Sequence, residues 1–317
     1  MWITFLTTLE QMTRIFLFLL LGFGLNRLKI LPKGAGTGIS KLVTTVFLPA
    51  LLLHSNVTGF NIANIGLYGK LVLLGGIMSL TVIFAVSPIA KKFAGDDQTD
   101  RGVYLYGLSI PNTGSVGTPV VLALFGATGL LEYNLFLFLW SLLTYAWGVN
   151  LFTPHQGKMT LSRRVMQILN PAFVFSNLGL ILGALGAKNW LPDMAVDIVG
   201  DLGACYVPIA LLMAGYTIAE YPLGNVFTLP KSYLFAFLRL IAIPVVVMLL
   251  CLFLGMEKSV ATLVLLGFAC PCGINVVVFP ASYGQDCKTG ASLVLISSLG
   301  SILTIPALYA LLQFLFR

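Results

Sequence analysis

Two short stretches hold the residues that could do chemistry. The first is Pro111-Asn112-Thr113-Gly114-Ser115-Val116-Gly117-Thr118-Pro119, and the second runs from Pro271-Cys272-Gly273-Ile274-Asn275 to Pro280. Each places two prolines eight or nine residues apart inside an apolar run, with Gly114 and Gly117 in one and Gly273 in the other. Proline within a helix deletes a backbone hydrogen bond and clashes with the preceding turn, at a cost of about 3 kcal/mol or more. The pattern therefore predicts two helices that unwind part-way along. Pro119 and Pro280 suit the first turn of a resumed half-helix, where a missing N–H costs little. Such a start presents unpaired N–H groups and a positive dipole end of roughly half a charge. Two of these ends facing one cavity favour an anion, most simply a carboxylate. Asn112, Thr113, Ser115 and Thr118 on one side and Asn275 on the other can add side-chain hydrogen bonds. The plainer alternative is a pair of kinked helices whose amides only satisfy broken backbone; the match between the two breaks weighs against it.

The elements that must position these residues follow from composition. The chain has 317 residues, of which 58% are hydrophobic and 9% charged. A globular domain carries about 25% charged residues, so too few charges are present to build a water-facing surface, and the solvent must be a lipid bilayer. Apolar runs near the ~20 residues needed to cross number about ten, at 8–28, 39–57, 66–90, 101–125, 130–152, 168–187, 196–219, 230–254, 259–283 and 289–315. The longest polar connection, 153–167 (TPHQGKMTLSRRVMQ), is a short linker between 1–152 and 168–317. The net charge of +7 does not point to nucleic acid, because the basic residues are scattered among short loops. With the N-terminus outside, twelve of them (Arg27, Lys29, Lys33, Lys41, Lys91, Lys92, Arg101, Lys158, Arg163, Arg164, Lys231, Lys288) fall in inward loops and four (Lys70, Lys188, Lys258, Arg317) outside. The positive-inside bias then places both termini outside.

The two halves repeat each other. Pro49 in Phe47-Leu48-Pro49-Ala50 lands on Pro208 in Tyr206-Val207-Pro208-Ile209, Pro111 on Pro271, and Pro119 on Pro280. Five spans per half is an odd number, so the copies enter the membrane from opposite sides. This predicts an all-α membrane protein of ten transmembrane helices in two inverted five-helix repeats, with helices 4 and 9 broken and crossing, an arrangement found in secondary transporters.

Ionisable groups within spans are functional candidates. His54 could titrate near neutral pH or be a polar interfacial histidine. Asp197 and Asp201, one turn apart, share a face near the outer end of the seventh span and could serve coupling or line a vestibule. Arg239, eight residues or so into the eighth span, could attract an anion or pair with a carboxylate. Glu10 and Arg14 read as a surface pair. Five scattered cysteines give no disulfide framework and no metal signature. Asn170-Pro171-Ala172 reads as an N-cap followed by a first-turn proline. No Walker A motif and no catalytic pair occur, so neither ATP-driven pumping nor an enzyme is expected.

At Pro111-Asn112-Thr113-Gly114 through Gly117-Thr118-Pro119, at Pro271 with Asn275 and Phe279 leading to Tyr283-Gly284, at Leu48-Pro49-Ala50, and at Ser297-Ser298 through Ile305-Pro306, the sequence resembles the auxin efflux carrier family, in particular its bacterial malonate- or malate-permease-like members. The resemblance covers essentially the whole chain. It implies a scaffold of helices 1, 2, 6 and 7, often dimeric, and a mobile transport domain of helices 3–5 and 8–10. It also implies that Asn112 and Asn275 contact the substrate. The large central loop of the plant members is absent, which argues against auxin itself. The expectation is a plasma-membrane carrier of small organic anions working by an elevator movement, probed below against two alternatives. One is a sodium- or proton-coupled carrier of a bile-acid-like or cationic substrate on the same crossed-helix fold. The other is an anion-binding receptor that moves nothing. No cofactor is called for beyond a coupling ion, H+ or Na+.

Overall fold

The computed structural model describes residues 2–32, 34–152, 169–220 and 227–316. The 153–167 linker, and with it Lys158, Arg163 and Arg164, lies outside the described residues, as do Lys33 and Arg317. Helices occupy every apolar segment expected from the sequence, several of them as consecutive shorter helices. In chain order they are α1 (Trp2–Arg27), α2 (Ala35–Leu42), α3 (Leu48–Gly59), α4 (Ile65–Ala94), α5 (Gln98–Ser109), α6 (Thr118–Phe136), α7 (Phe138–Ala146), α8 (Pro171–Ala184), α9 (Asp193–Ala204), α10 (Tyr206–Glu220), α11 (Pro230–Phe237), α12 (Ile243–Phe253), α13 (Lys258–Ala269), α14 (Asn275–Ser282) and α15 (Lys288–Leu315). Among the described residues six helical runs are long and apolar enough to cross a membrane, including Ala35–Gly59, Ile62–Ala94 and Lys288–Leu315. Another of these, Thr113–Phe136, turns at Gly126, whose φ of 65° lies in the left-handed region open to glycine. It therefore does not cross as one straight rod.

Three prolines leave the same mark on their helices, whereas Pro88 and Pro306 lie within α4 and α15. Pro49, Pro119 and Pro244 each stand two residues after a five-residue π-turn, at Val43–Phe47, Thr113–Gly117 and Leu238–Ala242. A π-turn widens the helix by one residue, which relieves the ring clash one turn back and leaves no i→i−4 bond for the missing N–H to make. Thus α2 and α3 form one rod, as do α11 and α12. Pro208 follows a break of a different kind, at Cys205 between α9 and α10.

Packing groups the helices in pairs. α1 runs along α10, and α3 along α8. The first contact is backbone against backbone: a Cβ on Gly22 would overlap the carbonyl of Leu212, and one on Gly215 the carbonyl of Leu19. In the second, Asn56 Nδ2 donates to Ser176 O (2.9 Å) and Oγ (3.1 Å). α4 packs on α5, α6 and α7, while α11 and α13 pack on α15 and α12 on α13. Around the broken helices the interior is filled by fully buried Tyr106, Tyr133, Phe136 and Phe268. Leu21, Leu73, Ile77, Phe84, Val246 and Phe253 are exposed on the outside, the inverse of a water-soluble surface and the form a lipid environment favours. The protein is an all-α, multi-pass membrane protein.

Candidate functional site

The first break begins where α5 ends, at Ser109, whose Oγ donates to Leu105 O (2.6 Å). Ile110 is extended, and Pro111 forms an isolated antiparallel bridge with Cys272 in the second break. Asn112 N donates to Pro271 O between the two breaks (2.8 Å). Cys272 N donates to Ser297 Oγ on α15 (3.0 Å). The two unwound segments therefore touch, and the backbone groups released by one helix are partly satisfied by the other.

Both helices resume earlier than the prolines alone predict. The first restarts at Thr113, where Asn112 Oδ1 accepts from Ser115 N (3.2 Å) as an N-cap and Thr118 Oγ1 donates to Thr113 O (3.3 Å). Pro119 thus sits inside a helix already under way, accommodated by the π-turn. The second restarts at Asn275, and Pro280 is an interior residue of α14. Asn275 Nδ2 donates to Tyr106 OH (2.8 Å), and the Tyr106 ring meets Phe279 edge-on at 5.7 Å. At Gly117 an added Cβ would overlap the Tyr133 hydroxyl, which would have to shift.

The crossing opens onto a cavity of about 370 Å³. Its wall includes Pro111, Asn112, Thr113, Gly114, Ser115 and Thr118 from the first break, and Gly273 and Asn275 from the second. Pro119, Pro271 and Pro280 do not line it. The rest of the wall was not anticipated from the sequence. Leu48 and Leu52 come from α3, Asn134 and Trp140 from α6 and α7, and Asn170, Phe173, Ser176 and Asn177 from α8 and its cap. Asn170 does cap α8, accepting from Phe173 N (3.0 Å). The one sequence signal for this wall was the set of amides within apolar runs, Asn134, Asn170 and Asn177. No Lys, Arg, His, Asp or Glu is among the lining residues. Two buried donors of lining residues, Asn134 Nδ2 and Trp140 Nε1, have no acceptor among the described residues. The indole is only 3% exposed, and a buried N–H without a partner is costly.

The ionisable candidates lie elsewhere. His54, on α3, packs against Gly200 of α9, on the helix that carries the exposed Asp197 and Asp201. None of the three lines the cavity. Arg239 is fully buried and donates from Nε to Cys270 O (3.1 Å) and from Nη1 to Leu108 O (3.2 Å). It thus bonds to backbone rather than to a carboxylate. Glu10 and Arg14 form an exposed i,i+4 ion pair. All five cysteines are free, and no cluster of His, Cys, Asp or Glu among the described residues could hold a metal ion.

A family described as membrane transport protein, the auxin efflux carrier family, matches residues 7–309, nearly the whole chain. The chain belongs to it. Comparison with curated proteins finds no match. The auxin efflux carrier family is a class of transporters, not enzymes, and its membership implies a small-molecule substrate and a bilayer setting. In this member of the auxin efflux carrier family, unwound backbone and a cavity coincide at the crossing of α5–α6 and α13–α14.

Proposed function

We propose that the protein is a secondary transporter of small organic anions, mono- or dicarboxylates, which it binds at the crossing. The observation that carries this reading is the pairing of the two breaks, with Asn112 N on Pro271 O, beside a cavity whose wall has no charged side chain and whose lining residues include two buried donors without acceptors among the described residues. Such a wall suits a ligand rich in acceptors. It does not suit a cation, because no carboxylate lines it and two of the carbonyls that end the entering half-helices are engaged by Arg239. The substrate-contacting set is Asn112, Thr113, Gly114, Ser115, Thr118, Gly273 and Asn275, with Pro111, Pro119, Pro271 and Pro280 shaping the breaks.

The architecture in this reading is ten spans in two inverted repeats, 1–152 and 168–317. Its support is the exchange of partners between halves: α1 pairs with α10 and α3 with α8, so the first span meets the seventh and the second meets the sixth. An inverted repeat maps each of these pairs onto the other. Spans 1, 2, 6 and 7 then form a scaffold and dimer platform, against which the remaining six move as an elevator. Both termini lie outside, in the plasma membrane. His54, Asp197 and Asp201 are on the scaffold helices in this scheme, a position that fits a vestibule better than a coupling site.

The test is counterflow of labelled malonate, malate, lactate and an indole acid into proteoliposomes, which needs no assumption about the driving ion. Uptake of at least one acid, lost in Asn112→Ala and in Asn275→Ala, is expected. Absence of flux with binding retained would favour a receptor, and strict sodium dependence would favour the ion-coupled alternative.

A further inference from the structure

Arg239 lies in the π-turn that joins α11 to α12, fully buried and off the cavity wall. The two carbonyls it binds belong to different helices. Cys270 O ends α13, and Leu108 O lies in the last turn of α5. These are the C-terminal ends of the two half-helices that enter the crossing. Each such end has unpaired carbonyls and a partial charge near minus one half. The planar fork of a guanidinium can meet both at once, as a single ammonium cannot. Nη2 has no acceptor, and no carboxylate pairs with Arg239 among the described residues.

The charges around the crossing can then be added. Two entering ends contribute about minus one in total, and two leaving ends about plus one. Without Arg239 the crossing is close to neutral; with it, about one positive charge remains uncompensated. We propose that Arg239 is a positioning residue that pins both entering half-helices and supplies the surplus charge by which the cavity prefers a single negative charge. This rests on the anion-transport reading above. It follows that a monoanion is favoured over a dianion, whose second charge would meet no counter-charge on the wall.

The experiment measures binding to the purified full-length protein of benzoate and of its neutral isostere benzamide, with malonate as a dianion, for wild type, Arg239→Gln and Arg239→Lys. Wild type should bind benzoate in preference to benzamide and to malonate. Arg239→Gln should lower the benzoate-to-benzamide affinity ratio on the order of tenfold, the scale of one unit charge acting across a few residues at an effective dielectric near 20. Benzamide binding should fall less than benzoate binding, since it loses the positioning alone and not the charge. Arg239→Lys keeps the charge and should hold the ratio within about threefold while lowering thermal stability. An equal loss of both ligands in folded Arg239→Gln would show a packing role alone and overturn the proposal, as would an unchanged ratio. If Arg239→Gln does not fold, Arg239→Lys decides: a retained ratio supports the proposal and a lost one overturns it. Wild type that binds none of the three ligands would overturn the anion reading itself, and this inference with it.

Discussion

Asn112 has two structural roles, and one substitution series can separate them from a role in binding. Its backbone N–H bridges to Pro271 O, and its Oδ1 caps the resumed helix through Ser115 N at 3.2 Å. This leaves Nδ2 as a donor on a residue that lines the cavity. Asn112→Ala deletes cap and donor together, and a lost cap alone costs about 1 kcal/mol. Reduced uptake in that variant is therefore ambiguous. Asp caps a helix as well as Asn does, so Asn112→Asp should retain the fold, with a melting temperature within about 2 °C of wild type. The same change removes a donor to a charged ligand, worth about 1.5–3 kcal/mol. It also adds like-charge repulsion of about 4 kcal/mol for unit charges about 4 Å apart at an effective dielectric of 20. Together these reach roughly four decades of affinity, and half that sum would still remove measurable counterflow. Asn112→Ser, which caps without adding charge, should raise the KM for the transported acid about tenfold. Wild-type uptake by Asn112→Asp would refute the argument, because it would leave Asn112 with the cap alone.

Three further expectations test neighbouring parts of the site and fold. Tyr106→Phe removes the oxygen that accepts from Asn275 Nδ2 at 2.8 Å; losing about 1 kcal/mol of positioning should raise KM about fivefold with kcat retained, and wild-type kinetics would show that this bond does not orient Asn275. Trp140→Phe deletes a buried N–H that has no acceptor among the described residues, so stability should hold or rise while acid affinity falls about fivefold; an unchanged affinity would mark Trp140 as a packing residue. Gly215→Val should abolish the folded peak in size-exclusion chromatography, since its Cβ would overlap Leu19 O, whereas Gly24→Ala, with open space around it, should stabilise by about 1 kcal/mol. Equal behaviour of the two glycine variants would show that α1 and α10 do not depend on this close approach.

The breaks were legible in the sequence because Pro111 and Pro271 stand close to glycine and asparagine, and proline has a strong local effect on a helix. Pro111 and Pro271 end α5 and α13 in the structure as their chemistry requires. The points of restart were not legible. A π-turn before Pro119 lets the helix begin six residues earlier, and its formation depends on Asn112 as a cap and on Thr118 reaching Thr113 O. Three of the four prolines flanking the breaks shape the crossing without lining the cavity. The far wall was also hidden, because α7 and α8 reach it through tertiary packing, with Phe138 stacked on Phe173 at 5.8 Å. Periodicity shows that a helix is apolar, not which side of it faces a void. Arg239 carried a signal, a charge within a span, but its partners are backbone carbonyls 31 and 131 residues away, which no side-chain pattern announces.

The placement of charge at this site suits a carrier that must release what it binds. A lysine or arginine on the wall would hold a carboxylate by a charge-assisted, bidentate contact, and the complex would be slow to part. Here the wall is built from amide and hydroxyl side chains and apolar ones such as Leu48 and Leu52. Arg239, buried at the crossing, is spent on the carbonyls of Leu108 and Cys270. In the reading proposed above, the anion therefore feels a positive field from fixed backbone and a buried guanidinium rather than a direct salt bridge. That field is strong enough to select charge sign and weak enough to allow escape, the balance that transport demands of any binding site on a conduction path.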